Sequence, residues 1–331
     1  MRIHLKGGRF GSKTLDQMLA EDHLRALINP LRELGASVSA GDTPERPDVE
    51  VHIEAQEASR GSDAPTVCVQ LENRFIWPAN TKERLDGYEH LVTWDRSREG
   101  ADVTHIFPPV AMREPRRNAF ANRPALAAIV ATNRAENTSS PNELYSERVR
   151  IIRAFEKRPD LTFELWGRGW NLPPQPPGLA FSAAYKFLRG VPMDIARLRN
   201  NKGPCGDKDD ALERAVFNFC FENVSGLSGY VTEKIFDSLI AGAVPIYLGC
   251  DDIGEYVPED CFIAYERVRD IDQFIDRLCL FGPEDYESFD RARLKFLASP
   301  RFSEHSVANF GDTTAKAIVR FLDTRKAGHR R

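Results

Sequence analysis

With 331 residues, 42% of them hydrophobic and 28% charged, the chain has the composition of an ordinary globular protein. Its length suggests about two domains of roughly 150 residues each. Lysine and arginine total 45 against 49 acidic residues, and this net charge of −4 argues against general nucleic-acid binding, where a basic footprint is expected.

The N-terminus, Met1-Arg-Ile-His-Leu-Lys6, lacks the apolar core of a signal peptide and reads as a first strand entering a loop. Leu15, Met18, Leu19, Leu24, Leu27 and Leu31 follow at roughly helical spacing until Gly35 stops the pattern. Strands are predicted at Val49–Ile53, Thr66–Leu71 and His90–Trp94, with an irregular segment over Asn73–Asn80. Residues 107–124 are rich in proline and arginine without a sustained period and read as a linker. A second series then begins: strand Ala127–Ala131, helix Leu144–Arg158, strand Thr162–Trp166, strand Phe217–Phe221, helix Thr232–Ala241 and strand Val244–Leu248. Ile271, Phe274, Ile275 and Leu278 mark a further amphipathic helix. Strands alternating with helices in both halves imply two α/β domains with mostly parallel sheets. Such sheets take ligands at the carboxyl ends of their strands, so a cleft facing both domains is the expected site. The expected boundaries are 1–121 for the first α/β domain and 122–331 for the second, which carries a C-terminal helix and basic tail.

The densest signal lies in Phe217–Gly249. A strand ends at Glu222-Asn223, a loop rich in glycine and serine follows, and Thr232 is placed to cap a helix opening with Glu233-Lys234. A lysine in the first turn opposes the helix dipole, and a bound phosphate would supply the reason for it. The alternative is a solvated lysine on a surface helix. Gly242 is placed to end that helix.

These residues, Phe219-Cys-Phe-Glu-Asn223 followed by Tyr230-Val-Thr-Glu-Lys234 and the run to Gly249, resemble the signature of the α-1,3-fucosyltransferases of glycosyltransferase family 10. Trp166-Gly-Arg-Gly-Trp170-Asn171 resembles the family's pyrophosphate-binding motif. Leu71-Glu-Asn73 with Pro78 and Asn80 resembles the segment that carries its catalytic carboxylate. Ala215-Val216 departs from the Tyr-Lys pair often found there, and the Asn223–Tyr230 loop is one residue longer than the family pattern. The resemblance implies a GT-B fold, two Rossmann-like α/β domains facing a cleft, and inverting transfer of L-fucose from GDP-fucose to a saccharide hydroxyl, with an α-1,3/4 linkage. It implies Glu72 as general base and Arg168, Asn223, Tyr230, Glu233 and Lys234 in the donor site. Glu54, Glu57, Glu89 and Asp95 compete for the role of base, and a surface pair with Arg74 is the bland reading of Glu72.

The partners implied are a GDP-sugar and an oligosaccharide or glycan acceptor, with no nucleic acid and at most peripheral membrane contact. No metal or other cofactor is expected, because the histidines are scattered and the six cysteines form no CxxC pair. Asp207, Asp209 and Asp210, with Asp251 and Asp252, read as solvated acidic turns rather than metal ligands. Gly167-x-Gly169 lacks the third glycine of a dinucleotide fingerprint. Trp94, Trp166 and Trp170 read as core or cleft wall. The longest apolar runs, 125–131 and 243–248, fall short of the ~20 residues that span a bilayer. The expected location is cytoplasmic, with the basic tail (Arg325, Lys326, Arg330, Arg331) at most touching the inner membrane face. Two alternatives stay open: a transferase using another nucleotide sugar, and a non-catalytic sugar- or nucleotide-binding relative.

Overall fold

The structure, a computed structural model, describes residues 1–7, 13–41, 46–56, 64–134, 140–171 and 198–328. The chain divides into two compact units: Met1–Met112 with Ser228–Tyr230 and Pro300–Arg331, and Arg113–Leu227 with Val231–Ser299.

In the first unit, strand β1 (Arg2–Gly7) leads to helices α1 (Leu15–Leu19) and α2 (Asp22–Glu33), then β2 (Ser37–Ala40), β3 (Val49–Ile53) and β4 (Thr66–Gln70). Helix α3 (Lys82–Leu85) and strands β5 (His90–Thr93) and β6 (Val103–His105) follow. The strands form one parallel sheet in the order β2-β1-β3-β4-β5-β6. The single helical pattern predicted over residues 15–35 is two helices. Thr14 opens α1 with a capping box to Gln17, and the chain breaks at Ala20-Glu21 before α2 starts. Ile3, Leu5, Val49, Val51, Val67 and Val69 join one apolar cluster with Leu24, Leu27, Ile28 and Leu31 of α2. The two-residue period of a strand puts the intervening His4, Glu50, His52 and Gln70 on the other face. There they are buried, and His52 bridges the Tyr88 hydroxyl (2.8 Å) and the Glu50 carboxylate (3.4 Å).

The second unit repeats the plan. It runs β7 (Ala125–Val130), α4 (Tyr145–Glu156), β8 (Phe163–Trp166), β9 (Asn201–Gly203), α5 (Lys208–Glu213), β10 (Ala215–Phe219) and α6 (Glu233–Ala241). Then come β11 (Val244–Tyr247), β12 (Ile263–Ala264), α7 (Ile271–Leu278) and α8 (Pro283–Leu297). Its parallel sheet has the order β12-β11-β10-β7-β8-β9. Gly242, with φ +77°, closes α6 in the left-handed conformation as its sequence position suggested.

Two expectations change. Residues 113–123 are docked rather than free to link. Arg113 forks onto Asp209 (2.8 and 2.9 Å) and reaches Asp237 (2.7 Å), Arg116 pairs with Asp210 and Glu213, and Arg123 donates to the carbonyls of Glu213 and Ala215. The acidic turn at Asp207–Asp210 is therefore the counter-charge for these arginines, not simply a solvated loop. The C-terminal segment, placed by sequence with the second domain, belongs to the first unit. Helices α9 (Pro300–Ser303) and α10 (Val307–Gly328) complete its core, with Phe310, Ile318 and Leu322 in the cluster beneath α2. Gly311 allows this approach, since a Cβ there would sit 1.9 Å from the Ala26 carbonyl oxygen of α2. No helix among the described residues is long and apolar enough to cross a membrane.

Candidate functional site

In the first unit the carboxylates named as candidate bases separate by environment. Glu72 stands just past the end of β4, partly exposed, and its Oε2 accepts from the Tyr230 hydroxyl at 3.3 Å. Tyr230 is 1% exposed, packs its ring 4.8 Å from that of Trp94, and is seated through Gly229, where a Cβ would meet the Trp94 carbonyl oxygen at 2.2 Å. Glu54 is 5% exposed, with both oxygens taken by donors. Asp95 closes a turn with Ser97 and pairs with Arg98, and Glu89 pairs with Arg325 of α10. Glu57 lies outside the described residues. Glu72 and Asp95 share a strand-end position and partial exposure, but Asp95 is tied to Ser97 and Arg98 while Glu72 is oriented by the Tyr230 hydroxyl. The Arg74 guanidinium lies over the Phe75 ring.

In the second unit β7 is flanked by β8 and β10, and the strand order reverses beside it. Open parallel sheets bind ligands at the carboxyl ends of strands at such a point. Glu222, past β10, is fully buried. It accepts the Thr232 N–H (2.8 Å), the Thr232 hydroxyl (2.7 Å) and the Lys234 ammonium (2.9 Å). Thr232 sits at the N-cap of α6 as expected, but its hydroxyl serves Glu222 instead of capping the helix. Lys234 is thus not a solvated lysine: Glu222 is its counter-ion. Burial works to lower the Lys234 pKa, but the charges of Glu222 and Glu233 more than offset it and hold the ammonium above its ordinary range. The side chain as a whole keeps 24% exposure. Glu233 is exposed; Lys234 beside it holds its carboxylate below the usual range despite a desolvation penalty, with help from Lys208.

Asn223 is fixed by Arg148. That buried guanidinium, on α4, donates to the carbonyls of Phe221 and Glu222 (both 2.6 Å) and to the Asn223 side-chain oxygen (3.3 Å). Across β7, the turn after β8 carries Arg168, exposed, with its carbonyl bonded to the Asn133 N–H (2.9 Å). Gly167, at φ +136°, is required there, because a Cβ would lie 1.8 Å from the Ala131 carbonyl oxygen. Trp170 is 7% exposed and donates its indole N–H to that same oxygen at 2.7 Å, which makes it a wall of the turn. Arg168, Asn171, Arg199 and Lys202 line a depression of about 950 Å³ with a basic rim. Among the described residues no group of three His, Cys, Asp or Glu side chains is placed to hold a metal ion.

The structure therefore groups Arg168, Asn223, Glu233 and Lys234 on the crest of one sheet. Tyr230, expected with them, is packed with the first unit beside Glu72. Sequence reasoning gave no role to Glu222, Arg148 or Asn80. Glu222 had a signal, as an acidic residue at a strand end, whereas Arg148 on its helix had none.

Residues 126–307, more than half of the chain, match the family model described as glycosyltransferase family 10 (fucosyltransferase), C-terminal. The chain is 40% identical over 81 residues to a fucosyltransferase-like protein of Arabidopsis thaliana. It is 36% identical over 70 residues to the alpha-(1,3)-fucosyltransferase FucT of Helicobacter pylori. These stretches are 24% and 21% of this chain and 15% and 14% of the relatives' own lengths. Among solved structures, an alpha1,3-fucosyltransferase with GDP aligns over 98% of this chain and 90% of its own, at 14% identity and a TM-score of 0.55. HepE of Anabaena in complex with UDP-glucose aligns over 97% of this chain and 100% of its own, at 11% identity and 0.58. At such identities the likeness is one of fold, and that fold is the GT-B type of two Rossmann-like α/β sheets. The matched stretch 126–307, from β7 to the start of α10 and more than half of the chain, places it in glycosyltransferase family 10, the fucosyltransferase family.

Proposed function

We propose that the protein transfers L-fucose from GDP-fucose to a saccharide hydroxyl, with inversion at the anomeric carbon and an α-1,3/4 linkage. The observation that carries this reading is the pair of cationic groups, Arg168 in the turn after β8 and Lys234 in the first turn of α6 after β10, on the two sides of β7 in one parallel sheet, in a chain of this family. A departing GDP develops negative charge on its diphosphate. A guanidinium binds that charge as a fork and an ammonium binds it as a point charge. Asn223 and Glu233 supply polar groups for ribose or sugar hydroxyls. Glu72 accepts the acceptor's proton as the new bond forms, which a base within hydrogen-bond reach of that hydroxyl does efficiently. Tyr230 donates to Glu72 and orients the carboxylate rather than binding the donor. The cations, not a metal, balance the diphosphate in this scheme. GDP-fucose is the donor substrate and a glycan is the acceptor. The setting read from the sequence, cytoplasmic with at most peripheral contact at the inner membrane face, belongs to the same proposal.

Thermal unfolding in the presence of GDP, UDP and CMP tests the donor. At 100 times its dissociation constant a ligand stabilises by about 2.7 kcal/mol, a readily measured shift. GDP is expected to give it, and a shift with UDP but none with GDP refutes the donor assignment.

A further inference from the structure

We propose that Glu54 is the positioning residue for the Glu72 carboxylate, acting from beneath by gripping the peptide that carries it. The proposal rests on the reading of Glu72 as general base.

Glu54 directly follows β3, beside β1, where the strand order of the first sheet reverses. Among the described residues it is the non-glycine with positive φ, +66°, a conformation that L residues other than asparagine and aspartate seldom adopt. From there its side chain reaches the end of the neighbouring strand. Oε1 accepts the backbone N–H groups of Leu71 (3.1 Å) and Glu72 (2.8 Å), and Oε2 accepts from the Asn80 side-chain amide (2.6 Å). The same amide nitrogen donates to the Glu72 carbonyl oxygen at 2.8 Å, and the Asn80 oxygen accepts the Ala55 N–H at 2.9 Å. Residue 72 is therefore held by its N–H through Glu54 and by its C=O through Asn80, and the two holders hold each other.

Both are nearly sealed from solvent, at 5% and 4% exposure. Burial pushes the Glu54 carboxyl up to about 8, with the Glu72 charge adding to it, although Asn80 and the two backbone donors pull the other way. A carboxyl kept in so costly a place needs a return, and a fixed Glu72 backbone supplies one. Catalysis by a base depends on its placement, and displacement by about 1 Å can cost on the order of 100-fold.

The test is a double-mutant cycle on the full chain, reading release of GDP from GDP-fucose with water as acceptor, and GDP affinity by calorimetry. In Glu54→Gln the amide keeps the size but turns an NH2 toward the Asn80 NH2. Turnover is expected to fall by roughly 10- to 100-fold, with GDP affinity changed by less than about twofold because the residues proposed to bind GDP belong to the other unit. In the Glu72→Gln background the same change is expected to cost less than about threefold, since residues that act as a unit are non-additive. Asn80→Ala, which leaves the Glu54 carboxyl in place, is expected to lower turnover about tenfold and keeps the test open if Glu54→Gln does not fold. An equal loss in both backgrounds marks a purely structural role and overturns the proposal. Normal turnover in Glu54→Gln beside collapsed turnover in Glu72→Gln overturns it alone. Normal turnover in Glu72→Gln removes the general-base reading and the proposal with it.

Discussion

The two units are built on one plan and dressed in different chemistry. Each has a six-stranded parallel sheet, among the described residues, whose order reverses next to the first strand of the unit. On the first crest the strand ends carry acids: Glu54 after β3, Glu72 after β4 and Asp95 after β5. The second crest adds exposed or half-buried cations, Arg168 after β8 and Lys234 beyond β10, beside the carboxylates Glu222 and Glu233, with Arg148 beneath. The backbone sets where a ligand can be read, and the residues just past each strand set what is read. A crest of acids suits proton transfer from a hydroxyl, and a crest that adds cations suits a diphosphate.

The sharpest way to break this division is Glu72→Gln, which removes the proposed base but keeps the shape. Turnover should drop by about 10²–10⁴-fold while calorimetry finds GDP affinity unchanged; near-normal turnover would return the role to another carboxylate of the first crest.

A second effect concerns stability and also belongs to the first unit. Glu54 is raised from an ordinary 4.5 to about 8, chiefly by burial, so its contribution is complete below pH 4.5 and is lost as pH rises through 8. His305 is lowered to about 4, by burial first and then by Arg301 and Arg96, so its contribution is present above its ordinary 6.5 and is lost as pH falls through 4. Urea midpoints from pH 4 to 9 should therefore decline toward both ends. Glu54→Gln should flatten the alkaline limb only and His305→Gln the acid limb only; unchanged limbs would show that other groups set the profile.

On the second crest, Arg168→Ala and Lys234→Ala should each weaken GDP binding by about 1.5–3 kcal/mol, the worth of a hydrogen bond to a charged group. Lys234→Ala also strips Glu222 of a partner, so it should lower the urea midpoint, which Arg168→Ala should not. Arg168→Lys should restore only part of the affinity, because an ammonium cannot reproduce the fork. Unchanged GDP affinity in both alanine variants would remove the phosphate role from this crest.

Much of this was legible in the chain. The apolar strands stand within about two residues of their predicted ends, because fully buried parallel strands read as continuous apolar runs. Glu72 was legible as a strand-end acid, and Gly242 as a helix stop. Legibility failed where partners lie far apart in sequence. Arg113 and Asp209 are 96 residues apart, and nothing near either announces the other. Glu54 and Asn80 are 26 apart, and although the sequence singles out each, nothing in the chain joins them until the sheet sets β3 beside β4.

The sequence by itself determined the order of the apolar strands β1, β3, β4, β5, β7, β8, β10 and β11, the parallel sheets and the chemical types at the strand ends, since these follow from local hydrophobic period and from residues adjacent in the chain; that period did not show the short strands β2, β6, β9 and β12. Only the tertiary structure decided which charge answers which. It gave Lys234 to Glu222, seated Tyr230 on Glu72 and packed α10 beneath α2 through Gly311. Ion pairs and helix contacts depend on distances of a few ångströms between segments far apart in the chain. Burial then fixes their worth, because low dielectric raises both the cost of an unpaired charge and the value of a paired one.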